Sequence, residues 1–235
     1  MYKGKKIALV IPCYKVSNII NDVIRSLPNL VDKIYVVDDQ CPEKSVRKIK
    51  SKSKKIKKIY RKTNGGVGAA VKDGYKSSLK DNNHITVRID GDGQMDLKLI
   101  KNFIDPIIDK RAEFTKGNRF MDLTFIKKMP ITRIIGNNIF SVIGNLIIKD
   151  FKIFDFLNGY TSINNHALRK VLKTNLDDDY FFDTILIYQL KRLKIKILDI
   201  PMRAKYENEK SNINVLNTGL SFLFKNLLFF LGIKK

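Results

Sequence analysis

The sequence predicts an α/β protein with a mainly parallel sheet flanked by helices, and three observations lead to it. Short β-branched runs alternate with longer helical patterns through the first half of the 235 residues, which is typical of βαβ units. Hydrophobic residues make up 44% of the chain against 29% charged, a balance that can build a core. An apolar run closes the chain. We therefore expect an α/β domain over residues 1–210 and an apolar helix within 211–235.

Five strands and three helices are predicted before residue 120. β-branched runs place strands at residues 7–11, 34–37, 56–60, 85–89 and 113–116. Apolar residues at helical spacing place helices at 17–26, 67–78 and 97–108. Ser17 and Asp96 stand where their side chains can cap the first and third of these helices. The apolar run before Pro12 spans only about five residues, which is shorter than the core of a signal peptide, so it indicates a first buried strand.

The pattern after Phe120 is more helical. We predict helices at 131–149, 167–173, 183–193 and 216–233, and a short strand at 196–200. Lys225 and Asn226 interrupt the last apolar run, which argues against a membrane span of about 20 residues. Two alternatives remain for this helix. It lies at a membrane interface, with Lys234 and Lys235 meeting anionic headgroups, or it packs on the domain or between subunits.

The net charge of +22 predicts attraction to polyanions, namely nucleic acid, anionic lipid or phosphorylated small molecules. Much of this charge lies in residues 44–62, which we interpret as a solvated helix face leading into a strand. Cys13 and Cys41 are too few for a disulfide framework and wrongly spaced for zinc, which indicates a reducing cytoplasm.

Acidic residues follow two of the predicted strands. Asp38-Asp39 ends the second strand, and Asp90-Gly91-Asp92-Gly93-Gln94 follows the fourth. Ligands of open parallel sheets bind at the carboxyl ends of the strands, so both groups are expected at one edge. Asp90 and Asp92 can share a divalent cation, although an Asx turn is an equally good explanation of Asp and Gly there.

A glycine-rich stretch, Asn64-Gly65-Gly66-Val67-Gly68, opens the second predicted helix. Free amides at a helix start favour anions, and glycines also permit close packing, so the stretch supports either role. It lacks the Lys-Ser/Thr of a P-loop, and its glycine spacing does not match a dinucleotide fingerprint.

Four motifs in this order resemble the large inverting glycosyltransferase family 2, which has the GT-A (Rossmann-like) fold. They are residues 11–14, 37–39, 64–68 and 90–94, and they cover roughly half of the chain. The remaining half resembles the polyprenol-phosphate branch, whose best-known members are dolichol-phosphate mannose synthases. The motifs that carry this likeness are residues 117–120, 129–133, 155–160, 200–203 and 206–211.

The resemblance implies roles for individual residues. A GDP- or UDP-linked sugar donor would contact Pro12, Tyr14, Asp38, Asp39, Gly68, Asp90, Gln94, Arg203 and Lys210. Mg²⁺ or Mn²⁺ would be held by Asp90, Asp92 and Gln94. A polyprenyl phosphate acceptor would contact Arg119, Arg133, Asn158, Gly159 and Tyr160. The catalytic residues would be Asp92, Arg119 and Asp183, in a protein attached peripherally to the cytoplasmic face of an anionic membrane.

The chemistry of the acceptor leaves an alternative open. A phosphate acceptor is already an anionic nucleophile and needs cations to place it, whereas a sugar hydroxyl needs a general base, for which Asp183 is the candidate. Lys15 stands where the family often has Asn, which affects the expected nucleotide contacts near Tyr14.

Two other classes compete with these. A non-catalytic basic protein that binds nucleic acid or membrane is one, but the paired acids would repel nucleic-acid phosphates, so we expect no nucleic-acid partner. A nucleotidyltransferase would carry a glycine-rich, arginine-bearing loop at residues 12–14, where this chain has Pro12-Cys13-Tyr14.

Overall fold

A seven-stranded mixed sheet forms the centre of the protein. The computed structural model describes residues 1–122, 129, 131–149, 153–203 and 225–226. The strands are β1 Ile7–Cys13, β2 Lys33–Asp38, β3 Ile56–Tyr60, β4 Ile85–Arg88, β5 Phe114–Asn118, β6 Thr161–Asn164 and β7 Ile197–Pro201. Their order is β3-β2-β1-β4-β6-β5-β7, and β6 runs antiparallel to both β4 and β5. The predicted mainly parallel sheet is confirmed, while β6 was not expected.

Helices cover both faces of the sheet. They are α1 Ile20–Arg25, α2 Val67–Lys80, α3 Ile100–Ile108, α4 Ile131–Ile148, α5 Asn165–Val171 and α6 Phe182–Arg192, with a 3₁₀ turn at Leu97–Leu99. Alternate β1 residues face different clusters of the core. Leu9 packs on the side of α1 and α3, and Val10 on the side of α2 and α6. The strand is apolar throughout because both of its faces are buried.

Two local predictions are wrong. Ser17 does not cap α1: the helix begins at Ile20 without a side-chain cap, and the Ser17 hydroxyl donates to Glu43 at 2.8 Å. Residues 44–50 form turns instead of a helix, and they bury Val46 and Ile49 while the lysines face solvent. The cap by Asp96 is confirmed, since its carboxylate accepts the Lys98 amide at 3.0 Å.

The predicted C-terminal helix lies outside the described residues except at two positions. Lys225 and Asn226 are helical and contact the domain. The Lys225 ammonium lies 2.9 Å from Asp177 and 2.8 Å from Asp179, and buried Asn226 accepts the Tyr188 hydroxyl at 2.5 Å. Lys225 therefore contacts the chain just before α6, and Asn226 contacts α6 itself. Within the described part of the chain, no helix combines the length and apolarity that a membrane crossing demands.

Candidate active site

The two acidic turns flank the carboxyl end of β1. Asp38 pairs with Cys13 in the parallel register of β1 and β2. On the other side, Gly91 packs so closely on β1 that an added Cβ would lie 3.3 Å from the Pro12 carbonyl oxygen and 3.4 Å from Cys13 Sγ. Parallel strands therefore bring both acidic groups to one edge, as the sequence predicts.

The turn after β4 presents its polar groups to a cavity. Asp92 Oδ1 accepts the Gln94 amide at 3.0 Å, and Gly93 adopts a φ of +75°, so the Asx turn is formed. The cavity measures about 360 Å³, and Asp90, Asp92 and Gln94 line it together with Asp22 of α1. The turn thus has a structural role and also directs three oxygen-bearing side chains towards one space.

The two carboxylates of the first acidic turn bond to other groups of the protein. Asp38 is 5% exposed and its Oδ1 accepts the Cys41 amide at 2.7 Å. Asp39 accepts Arg61 Nη1 at 2.5 Å and the Gly65 and Gly66 amides at 3.0 and 2.8 Å. Asp39 therefore holds the glycine-rich loop in place. The nucleotide contacts of Asp38 and Asp39 remain predictions.

The glycine-rich stretch packs against the chain before α6. A Cβ at Gly66 would lie 2.6 Å from the Asp178 carbonyl oxygen, and one at Gly68 2.7 Å from that of Asp177. The Asp178 carbonyl also accepts the Ala69 amide at 2.9 Å, which satisfies a free donor of the α2 N-terminus. Close packing, one of the two roles left open by the sequence, accounts for these glycines. The nucleotide contact of Gly68 remains a prediction.

A buried arginine joins the acidic turn to α6. Arg88 is 2% exposed, its Nη2 donates to Asp90 Oδ1 at 3.1 Å, and its Nη1 donates to Asp183. Gly159 closes this group from the β6 side, because a Cβ there would lie 2.6 Å from Asp90 Oδ2. Burial raises the pKa of Asp183 to about 6, against the attraction of Arg88. Asp183 thus lies close to the cavity residues without lining the cavity itself.

Arg119 is fixed at the end of β5 by a buried carboxylate. Its Nε lies 2.7 Å from Asp155 Oδ2 and its Nη2 lies 2.5 Å from Oδ1, which is a two-pronged ion pair. Burial alone would raise the pKa of Asp155, but Arg119 holds it below its usual value. The guanidinium is therefore held in one orientation.

Asn158 and Tyr160 bond to other groups in the interior, near the ion pair of Arg119 with Asp155. Asn158 Nδ2 donates to Asp155 Oδ2 at 2.9 Å, and its Oδ1 accepts the Tyr160 amide at 3.0 Å. The Tyr160 ring is fully buried, stacks on Phe103 at 4.0 Å, and donates its hydroxyl to the Asp96 carbonyl at 3.2 Å. The acceptor roles of Asn158, Gly159 and Tyr160 remain predictions, and the side chain of Tyr160 already has internal partners.

The donor set of the cavity fits Mg²⁺ or Mn²⁺. Two carboxylates and an amide supply hard oxygen ligands, and the Asp90 side chain, which lines the cavity, is 32% exposed. Across the described residues, His, Cys, Asp and Glu nowhere gather in a group of three that could hold a metal. Such a site suits a cation whose remaining ligands are water and substrate phosphate oxygens.

Comparison with known proteins identifies the family. The model of "Glycosyl transferase family 2" matches residues 8–172. The chain belongs to glycosyltransferase family 2. This glycosyltransferase is 27% identical over 241 residues to the UDP-N-acetylglucosamine–dolichyl-phosphate N-acetylglucosaminyltransferase of Methanococcus voltae, covering 95% of each chain. It is also 25% identical over 225 residues to an uncharacterized protein of Methanocaldococcus jannaschii, covering 95% of this chain and 91% of the relative.

Solved structures support a GT-A-like fold for the glycosyltransferase. Glucosyl-3-phosphoglycerate synthase from Mycobacterium tuberculosis in complex with UDP superposes with a TM-score of 0.75 at 15% identity, over 99% of this chain and 82% of that one. The same enzyme with Mn²⁺ and UDP-glucose gives a TM-score of 0.71 at 15% identity, over 99% and 81%. At this identity the likeness concerns the fold alone.

The other predicted site residues that the structure describes lie at or just after the ends of β1 and β7 in the transferase. Tyr14 is 45% exposed and Pro12 is half-buried, both at the end of β1. Lys15 stands where the family often has Asn. Its ammonium lies 5.5 Å from the centre of the solvent-exposed Tyr14 ring. Arg203 is exposed just after β7. The side chain of Arg133 and all of Lys210 lie outside the described residues.

Sequence reasoning missed Arg88. It is the last residue of β4, two positions before Asp90, and a lone charged residue in a fully buried strand is itself a signal. Charged side chains are almost never fully buried unless they are paired, so such a residue implies nearby carboxylates. Which carboxylates pair with it depends on how α6 packs, and local sequence does not contain that information.

Proposed function

We propose that this glycosyltransferase moves a sugar from a nucleotide-sugar to a polyprenyl phosphate at the surface of a membrane, with inversion at the anomeric carbon. The donor half of the proposal rests on the cavity beside Asp90, Asp92 and Gln94. The acceptor half rests on Arg119 and, above all, on the exposed apolar face of α4.

Helix α4 turns several large apolar side chains towards solvent. Its fully buried described residues are small or polar, and two of them bond to the chain that follows: the Ser141 hydroxyl accepts the Asp155 amide at 3.0 Å, and Asn145 donates to the Ile153 carbonyl at 2.7 Å. Phe140, Ile147 and Ile148 pack partly against the core. Five apolar side chains of α4 are exposed by half or more, namely Ile131, Ile135, Ile139, Val142 and Leu146. A contiguous apolar surface of this kind is typical of a membrane or protein contact.

The position of α4 connects this surface with the acceptor. The segment after α4 carries Asp155, the partner of Arg119, and Asp155 is itself held by Ser141 of α4. An arginine fixed by its own ion pair, beside a helix with an apolar outer face, suits a molecule with a phosphate head and a lipid tail. The dolichyl-phosphate acceptor named for the M. voltae relative supports the same class of acceptor.

The reaction follows from the charges. An oxygen of the acceptor phosphate forms a bond to the anomeric carbon, while the bond from that carbon to the donor diphosphate breaks and a nucleoside diphosphate leaves. The nucleophile is already anionic, so no residue has to remove a proton. Asp90, Asp92 and Gln94 would hold Mg²⁺ or Mn²⁺, which would supply positive charge to the leaving diphosphate. Arg119, with Arg133, would orient the acceptor phosphate.

The net charge of +22 suits attachment to an anionic cytoplasmic membrane face. The lysines of the β2–β3 connection are exposed and available for attraction at a distance. We propose peripheral attachment, in which the apolar face of α4 supplies the contact with lipid and the excess positive charge strengthens it.

A second candidate function is transfer to a sugar hydroxyl, with Asp183 as general base. The observation that favours it is the buried position of Asp183 beside Arg88, close to the cavity residue Asp90, where burial raises its pKa to about 6, suitable for a base near neutral pH.

An acceptor assay separates the two functions. Radiolabelled UDP-GlcNAc, UDP-glucose and GDP-mannose would each be incubated with the protein, Mn²⁺ and a short polyprenyl phosphate, with the corresponding polyprenol and free sugars as control acceptors. We expect label in the organic phase only with the phosphate. Transfer to free sugars, with none to polyprenyl phosphate, would refute the proposal and support the second candidate.

A further inference from the structure

We propose that Arg88 is a positioning residue for the transfer: by bonding Asp90 and Asp183 at once, it fixes the Asp90 carboxylate at the cavity and makes Asp183 a counter-ion instead of a base. This inference rests on the proposed metal-dependent use of a nucleotide-sugar. It goes beyond that proposal by assigning roles to Arg88 and Asp183, which would touch neither the metal nor the nucleotide-sugar.

The burial of Arg88 requires both carboxylates. A guanidinium that is 2% exposed has lost its hydration, and only anionic partners can compensate for that loss. Its Nη1 donates to Asp183 of α6 and its Nη2 donates to Asp90 of the acidic turn. The planar fork of an arginine can bind two oxygens in fixed directions, which a lysine cannot do. Arg88 is therefore a rigid link between the end of β4 and the start of α6.

The link leaves Asp90 little freedom. Nη2 of Arg88 bonds Oδ1 at 3.1 Å, and the backbone at Gly159 approaches Oδ2 so closely that a Cβ there would lie 2.6 Å away. The carboxylate is held on two sides while 32% of the side chain stays exposed. A ligand that is held in this way binds a cation without first losing rotational freedom, which is how outer partners of metal ligands raise affinity.

The same geometry argues against Asp183 as a base. Its Oδ1 is occupied by Arg88 and its side chain is only 11% exposed. The Phe182 ring lies against the guanidinium, 5.7 Å from ring centre to Cζ, and helps to enclose the pair. A base must reach the proton that it removes, whereas a counter-ion needs only to face the arginine.

The test measures binding of Mn²⁺ and UDP by calorimetry, alongside turnover. Arg88→Met should weaken Mn²⁺-dependent UDP binding by about tenfold or more, the usual loss when an outer partner of a metal ligand is removed. Arg88→Lys should restore part of this loss, because one ammonium can serve only one carboxylate well. Asp183→Asn keeps an oxygen for Arg88, so kcat should fall by less than about tenfold, whereas loss of a general base costs about 10² to 10⁴.

A matched control separates positioning from stability. Val87→Ala removes buried apolar groups from the same strand and should lower the melting temperature while leaving Mn²⁺–UDP affinity unchanged. If Arg88→Met fails to fold, Arg88→Lys decides: an affinity equal to that of the unaltered protein would overturn the inference. Asp183→Asn with intact Mn²⁺–UDP binding and a thousandfold lower kcat would also overturn it. An unaltered protein that binds neither UDP nor GDP with Mn²⁺ would instead overturn the proposed function.

Discussion

The two acidic turns that flank the end of β1 use the same residue type for different purposes. Asp38 and Asp39 are 5% and 4% exposed, and backbone amides and Arg61 bond their carboxylates. Asp90 and Asp92 follow an equivalent strand end, yet they line a cavity of about 360 Å³. The first turn mainly organises loops, whereas the second lines the cavity. The topology places the acids at one edge of the sheet, but hydrogen-bond donors from other segments decide which carboxylates are enclosed and which line the cavity.

The largest expected effect tests the second turn. Asp92→Asn should lower turnover about 10³-fold, because it removes a charge that holds the cation opposite the leaving diphosphate. Its stability should change by less than about 0.5 kcal/mol, as for other partly exposed sites. The control is Asp22→Asn, since Asp22 lines the same cavity from α1 and should tolerate the change. Equal losses of turnover in both variants would remove the distinction between the two residues.

The first turn should respond in the opposite way. Asp39→Asn leaves Arg61 without its buried partner and should lower the free energy of unfolding by about 3 kcal/mol in urea. Asp73→Asn breaks the more exposed half of the same network, in which Asp73 is 35% exposed, and should cost less than about 1 kcal/mol. An Asp39→Asn protein of normal stability that no longer binds UDP would show that Asp39 is a ligand and not a support.

A third buried acid, Asp155, extends the comparison to the pH dependence of stability. The pKa of Asp155 is lowered in the folded state, so its stabilising contribution is present above its unfolded pKa of about 3.9 and is lost as pH falls through the folded value. Asp155→Asn should lower the melting temperature clearly at pH 7, and the difference from the unaltered protein should stay constant down to about pH 5 and shrink only as pH falls further, through the folded pKa. A difference that does not depend on pH would mean that the ion pair with Arg119 contributes nothing.

The smallest effect on folding is expected at α4. Ile135 and Ile139 are each half-exposed or more, so changing both to Ser should alter stability by less than about 0.5 kcal/mol. Binding to phosphatidylglycerol vesicles in a sedimentation assay should nevertheless fall by at least about tenfold, because two apolar side chains no longer enter the lipid. Asn138→Ser on the same helix is the control and should bind normally. Vesicle binding that survives the double change, or a dimer that is lost with it, would assign this face to another partner.

Much of the fold could be predicted because the first half alternates apolar strands with amphipathic helices. β3 was expected at its observed bounds. β6 was missed because Thr161–Asn164 is short and polar, and its strand state depends on pairing with β4 and β5. Residues 44–50 have a helical spacing of apolar positions, but Val46 and Ile49 reach the core from turns.

The location of the site could be predicted from the sequence, whereas the roles of its individual residues could be predicted only in part. Strand order placed the acids at one edge of the sheet, and the glycines at the start of a helix. The partner of Gly66 is the Asp178 carbonyl, more than a hundred residues later, and Arg88 meets Asp183 only because α6 packs beside β4. Contacts of such long sequence separation leave no local pattern, so the supporting roles of these residues could be established only from the structure.

The most direct test of the account is the transfer of label from a nucleotide-sugar to short polyprenyl phosphate, measured in the organic phase with and without Mn²⁺, for the unaltered protein and for Asp92→Asn. The account predicts label in the lipid fraction only with metal, with acceptor phosphate and with Asp92 intact. Equal transfer to polyprenol, or transfer that Asp92→Asn leaves unchanged under saturating metal, would contradict it.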